Sequence, residues 1–234
     1  PVEIGILRRA INITSDALNE VYRFIQPGVW EYQVEGVIEY MFRAGGAQKP
    51  AFPSITGSGV RATILHYEDN NQLVRDGDLV LMDVGAELDG YAADISRTVP
   101  ANGRFSPEQR QIYSIVLKAQ KAAIRQMQPG KGIAEAHHTA TDIIVKGLFK
   151  LGLIFDVNSK WQRDIFVLYP NSHYLGLDVH DVGDYGMRKR SGRSLKAGMV
   201  LTIEPGIYFH PQLLNTLHHR FGKRVDKDDI ARYI

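Results

Sequence analysis

The apolar positions of this chain follow two rhythms. Ile4, Leu7, Ile11, Thr14, Leu18, Val21 and Ile25 recur at steps of three and four, the spacing that lines one face of an α-helix. Pro27-Gly28 stops that helix. A second helical run carries Val34, Val37, Ile38, Met41 and Phe42 and ends at Gly45-Gly46. A third opens with Ser106 as N-cap, Pro107 at the first helical position and Gln109 three on, a capping-box pattern. It continues through Ile112, Ile115, Val116, Ala119 and Ala123 to Pro129-Gly130, and a fourth runs from about Ile133 to Leu151, before Gly152. Between the helices lie strand-like runs. Residues 79–84 are apolar except at Asp83, residues 91–99 are strand-like but polar at Asp94, Ser96, Arg97 and Thr98, and residues 199–203 lead into Glu204-Pro205-Gly206. The order of helices and strands predicts an α+β domain of two similar halves, split near residues 115–130, with room for a site between them.

Composition narrows the classes. A length of 234 residues with 44% hydrophobic and 23% charged residues is enough for a substantial globular core. The formal net charge is only +2, and the short Arg188-Lys189-Arg190 run reads as a solvated loop, so nucleic acid is not an expected partner. No apolar run approaches the ~18 residues that a membrane helix needs. The chain has no cysteine, which excludes disulfides, thiolate zinc sites and a cysteine nucleophile within it. It fits a reducing compartment, the cytoplasm in first place and the mitochondrion in second. No secretory signal is visible. The chain starts at Pro1 with helical periodicity almost at once, so the expectation is a segment cut from a longer protein.

The acidic and imidazole side chains stand in unusual surroundings. Asp83 interrupts an apolar strand, where an ionised carboxylate without a partner is costly. Asp94 lies eleven residues on, with Leu88-Asp89-Gly90 between them as a turn. A hairpin centred between residues 88 and 89 sets Asp83 directly opposite Asp94, with Cβ atoms roughly 4.5–5.5 Å apart. A turn centred on Asp89-Gly90 makes the pair diagonal instead. Two carboxylates that close need something positive between them, a proton or a divalent cation. Two unrelated turn-flanking aspartates are the plainer alternative. His173 and His180 lie in the apolar run Ser172-His173-Tyr174-Leu175-Gly176-Leu177-Asp178-Val179-His180, and Glu204 ends an apolar strand. Taken singly, each of these has an ordinary structural explanation. Together, carboxylates and imidazoles suit Mn, Fe, Co or Zn, and two such ions about 3.5–4 Å apart form a hydrolytic site.

Four segments resemble those of the Xaa-Pro aminopeptidase and prolidase family, in family order. Met82-Asp83-Val84-Gly85-Ala86 with Gly90-Tyr91-Ala92-Ala93-Asp94-Ile95-Ser96-Arg97-Thr98 is similar to the motif around the first two metal ligands. The run from Ser172 to Asp181 is similar to the histidine motif, Ile203-Glu204-Pro205-Gly206-Ile207-Tyr208 to the glutamate motif, and Ile64-Leu65-His66-Tyr67 to the segment bearing a further active-site histidine. The resemblance implies the pita-bread fold, with a dinuclear centre between its two α+β halves. It implies Asp83, Asp94, His173 and Glu204 as metal ligands, Asp94 bridging both ions, and His66 and His180 near the scissile bond. It favours two manganese ions, with cobalt or zinc as alternatives. The implied reaction is release of an N-terminal residue that precedes proline, through a hydroxide bridging the metals, with Glu204 passing a proton to the leaving nitrogen. The implied partner is a peptide with proline second, and self-association is left open.

Two departures from the family pattern stand out. The family's fifth ligand is a bridging glutamate in a later strand, yet no glutamate follows Glu204 here. Asp226 is one substitute. The favoured reading is that residues 208–233 resemble an insertion and that the missing strand lies beyond Ile234. That reading predicts low activity for the chain alone, restored by about 30 further residues. The second departure is Tyr169, which stands where many members have another histidine. Two alternatives remain beside the aminopeptidase: a prolidase acting on dipeptides, and a catalytically impaired pita-bread binding module. The four retained ligands weigh against the second, and equally against a metal-free creatinase-like enzyme.

Overall fold

A computed structural model describes residues 2–186, 191–212 and 232–233. The Arg188-Lys189-Arg190 run and Asp226 lie outside the described residues. The chain divides into two compact units, Pro1–Phe105 with Tyr174–Val182, and Ser106–His173 with Gly183–Ile234.

The first unit begins with α1 (Val2–Phe24) and α2 (Glu31–Ala44). The buried stripe of α1 is Leu7, Ala10, Thr14, Ala17, Leu18 and Val21. Ile4 is exposed, so the stripe starts one turn later than the apolar periodicity predicts. Thr14 fits inside it because its hydroxyl is fully used, donating to Ala10 O (2.9 Å) and accepting from Ala86 N (3.0 Å). Two three-stranded sheets follow. One has β2 (Ile55–Ser58), β3 (Leu79–Val84) and β6 (Ile95–Pro100), in the order β2-β3-β6. The other has β1 (Lys49–Pro50), β4 (Ala86–Leu88) and β5 (Tyr91–Ala92), in the order β1-β4-β5.

Side chains alternate along β3. Val80, Met82 and Val84 are buried in one core with Leu18 and Val21 of α1 and Val34, Ile38 and Phe42 of α2. Leu79, Leu81 and Asp83 fall on the other face and are half-buried. Asp83 therefore does not sit inside the core, as its apolar neighbours in sequence imply, but on the more open side of the sheet.

The hairpin register decides the Asp83–Asp94 relation. Leu88 pairs with Tyr91, which leaves Asp89 and Gly90 as a two-residue turn. Both have positive φ, 50° and 82°, as the tight turn matching strand twist requires and as an Asp-Gly pair accepts. In the same register Asp83 faces Ser96, and Val84 faces Ile95. Asp94 is thus diagonal to Asp83, and the directly opposed arrangement is corrected. The strand expected over residues 91–99 also divides into β5 and β6 around Ala93 and Asp94. Gly85 is the reason visible on the facing strand. A Cβ there would lie 1.8 Å from Ala93 O, so only glycine lets the two backbones come this close.

The second unit is helical among its described residues, with α3 (Pro107–Gln126), α4 (Ile133–Lys150) and the short α5 (Lys160–Phe166). The capping box at its start is present: Ser106 Oγ accepts from Gln109 N (3.1 Å), and Gln109 Oε1 accepts from Ser106 N (2.9 Å). Small side chains, Ala119 and Ala123 on α3 and Ala136 and Ala140 on α4, pack in one core with Ile144, Leu148, Phe166 and Phe209. The unit boundary falls at Ser106 rather than at residues 115–130, because the whole of α3 packs on α4. Residues 199–203 do not form the expected strand. They run beside residues 171–173 with two ladder bonds, Thr202 N to His173 O (2.9 Å) and Glu204 N to Asn171 O (3.0 Å), too few for a regular strand.

Candidate metal centre

The first unit holds the two aspartates. Asp83 points from the open face of β3, and Ser96 Oγ, directly across on β6, donates to its Oδ1 at 2.9 Å. Asp94 is half-buried at the break between β5 and β6. Diagonal positions across an antiparallel pair stand about 7–8 Å apart, further than directly opposed ones. That spacing lowers the repulsion between two carboxylates and leaves room for an ion between them.

The second unit holds His173 and Glu204. The two ladder bonds put residues 171, 173, 202 and 204 in register, and the side chains of His173 and Glu204 meet. His173 Nε2 lies 2.9 Å from Glu204 Oε1, with the two side chains 15% and 21% exposed. Thr202 organises the pair from below: its Oγ1 accepts from His173 N (3.0 Å) and donates to Glu204 Oε1 (2.9 Å). Tyr169 borders the pair. Its hydroxyl donates to Glu204 O at 3.4 Å and lies 2.8 Å from the Tyr208 hydroxyl, with the two rings edge to face.

Donor atoms bound to one octahedral or tetrahedral ion at about 2.0–2.2 Å each stand roughly 3 Å from one another. The spacing of His173 Nε2 and Glu204 Oε1 meets that requirement. An imidazole with carboxylates is also the donor set that borderline divalent cations prefer. The residues present fit a divalent metal.

The other two histidines are placed differently from the apolar setting that the sequence implies for His180. His180 is exposed, in the 174–182 segment of the first unit. That segment is held by Ala92 N donating to Gly176 O at 2.8 Å and closes on itself through Asp181 N to Tyr174 O at 3.1 Å. His66 is exposed in a turn after a 3₁₀ segment (Gly59–Thr63), with a positive φ of 53°. A left-handed conformation is uncommon for a non-glycine residue and recurs at functional sites. Ser96 and Thr202 are the supporting groups that motif reading passes over. Both could have been found from period two, since Thr202 shares a face with Glu204 and Ser96 with Asp94.

The sequence matches metallopeptidase family M24 over residues 5–229. It is 44% identical to the Xaa-Pro aminopeptidase of Escherichia coli over 233 residues, 97% of this chain and 52% of that protein. It is 35% identical to the human Xaa-Pro dipeptidase over 234 residues, 92% of this chain and 48% of that protein. Among solved structures, the Pseudomonas aeruginosa aminopeptidase PepP superposes with a TM-score of 0.86 at 42% identity, covering 97% of this chain and 50% of that one. The chain thus spans about half the length of the relatives it matches, and it shares their α+β pita-bread fold. With these likenesses over nearly its whole length, the chain belongs to metallopeptidase family M24.

Proposed function

We propose that this chain carries the catalytic machinery of a metal-dependent Xaa-Pro aminopeptidase, which releases an N-terminal residue that precedes proline. The observation that carries the reading is the convergence of His173 Nε2 and Glu204 Oε1 at 2.9 Å, organised by Thr202. Asp83 and Asp94 complete the ligand set, for two divalent ions with manganese favoured. When bound, such ions acidify a water and polarise the scissile carbonyl. The chain's own residues do the rest. Ser96 holds the Asp83 carboxylate in one orientation, and Thr202 does the same for Glu204. The leaving group is a proline nitrogen, which carries no hydrogen in the peptide and so must receive a proton to depart. Glu204 is the residue to pass it. His66 and His180 are hydrogen-bond donors to the substrate carbonyl as its oxygen gains charge. No serine or cysteine nucleophile is required, and the chain has no cysteine.

A prolidase activity is the second reading, favoured by the likeness to the human dipeptidase. Rates on Xaa-Pro dipeptides against longer Xaa-Pro peptides separate the two. The substrate is a peptide in either case, in a reducing compartment, the cytoplasm in first place. Among the described residues no helix is long and apolar enough to cross a membrane.

The test is manganese titration and Xaa-Pro hydrolysis by the wild type and by Thr202→Val, His173→Ala and Asp226→Ala. Thr202→Val removes only a supporting hydroxyl and is expected to cost about 10–100-fold in metal affinity or activity. His173→Ala should cost more. Asp226→Ala should change neither, since the shorter Asp226 is not counted among the ligands. Wild-type metal affinity in His173→Ala would sink the assignment.

A further inference from the structure

Glu31 opens α2 and is completely buried. Its carboxylate accepts four hydrogen bonds, and all four donors are neutral. Oε1 accepts from Ser58 N (2.7 Å) and Ser58 Oγ (2.6 Å). Oε2 accepts from Tyr67 Oη (2.8 Å) and Gln72 N (2.9 Å). The backbone of Glu31 joins the same group, accepting from Thr56 Oγ1 at 3.0 Å and donating to Gln72 O at 2.9 Å. Burying a carboxylate is costly unless its oxygens are satisfied. Here both are, but only by a carboxylate. A glutamine would set an N–H against the N–H of Gln72.

The four donors are not scattered. Ser58 is the last residue before the 3₁₀ segment Gly59–Thr63, and Tyr67 is the first after His66. One side chain therefore ties together the two ends of loop 59–66. Within that loop Ile64, Leu65 and His66 are exposed, so the tip has little packing of its own. Asn70 adds a staple behind the clasp, with Oδ1 accepting from Thr56 N (2.9 Å) and Nδ2 donating to Ser54 O (2.7 Å). His66 keeps its left-handed φ of 53° above this base. Such a conformation persists only where the surroundings over-determine it.

We infer that Glu31 is a positioning residue, whose buried carboxylate clasps the base of loop 59–66 and holds His66 in the turn from which it reaches substrate. The inference rests on the reading of His66 as a substrate-side donor. Glu31 itself touches no substrate and acts through the loop.

The experiment compares Tyr67→Phe, Glu31→Gln and His66→Ala, and the double variant Tyr67→Phe/His66→Ala, as metal-loaded enzyme hydrolysing an Xaa-Pro peptide. Tyr67→Phe keeps the ring and removes one bond of the clasp. It should lower kcat by about tenfold, with KM and manganese affinity unchanged, because slight misplacement of a catalytic group costs rate before it costs binding. In the His66→Ala background the same change should add nothing, since both act through one group. Hydrogen exchange at amides 59–66 should quicken in Tyr67→Phe. Glu31→Gln should show the same pattern more strongly, and if it does not fold, Tyr67→Phe decides. Losses that multiply in the double variant, or that follow manganese affinity, would reduce the clasp to a structural role and overturn the inference alone. Wild-type kcat in His66→Ala would remove the reading of His66 first, and the inference with it.

Discussion

Replacing Gly85 by alanine tests whether the close approach in the hairpin places Asp94. An ideal Cβ at residue 85 lies 1.8 Å from Ala93 O, 2.6 Å from Ala93 C and 3.0 Å from Phe52 Cε1. An ordinary carbon–oxygen contact is about 3.3 Å or more, so the strands must separate by roughly 1.5 Å. Ala93 cannot yield cheaply. It is fully buried, and its N–H donates to Ala86 O at 2.9 Å. Since Asp94 follows it directly, the movement that relieves the clash carries the proposed ligand with it. Inserting one carbon into a packed site costs about 1–3 kcal/mol, and a backbone clash belongs at the upper end or beyond. For a chain of this size ~3 kcal/mol corresponds to about 6–12 °C in Tm. Misplacing a catalytic group by about 1 Å adds a loss near 100-fold in rate. Thermal unfolding, manganese titration and Xaa-Pro hydrolysis read the three effects. Gly5→Ala is the control, because a Cβ there meets nothing within 4 Å, and in a helix it should stabilise by about 0.5–1 kcal/mol. A Gly85→Ala variant with wild-type Tm and wild-type manganese affinity would refute the reasoning.

Two further predictions concern the second unit. Burial lowers the pKa of His137 below its ordinary 6.5, with His138 and Arg163 acting in the same sense and the Asn171 side chain opposing. The stability that comes from keeping it neutral is therefore complete above pH 6.5 and is lost as pH falls through the lower folded-state value. Tm measured between pH 8 and pH 5 should fall less steeply in His137→Gln than in wild type, and an equal or steeper fall would count against it. Ser106→Ala removes the N-cap of α3 and should cost about 1 kcal/mol, with no change in metal affinity.

Local features were well read from the residues. The capping box at Ser106 and the glycine-terminated helices depend on neighbours within a few positions and appear where the residues put them, and the stripe of α1 does so from Leu7 onward. The Asp-Gly pair marks the turn, since it tolerates positive φ at both positions, but the hairpin centred between residues 88 and 89 gives way to one centred on Asp89-Gly90. The proposed site is legible as a set of residue types in family order, and in the structure His173 Nε2 lies 2.9 Å from Glu204 Oε1. Residues 199–203 fall short of a strand because an apolar run shows β-propensity but not how far a neighbouring segment continues beside it, here for only two ladder bonds.

What the sequence by itself determined is the four long helices, the family likeness and the names of the proposed ligands, because these rest on local propensity and on motif spacing. Tertiary structure alone decided which face of β3 carries Asp83, that its cross-strand partner is Ser96 with Asp94 on the diagonal, and that Thr202 joins His173 to Glu204. It also turned Glu31, an unremarked helix residue in the sequence, into the tie between Ser58, Tyr67 and Gln72. The physical reason is shared by all of these. Register and burial come from pairings between segments far apart in the chain, and a shift of one residue in a strand exchanges its faces.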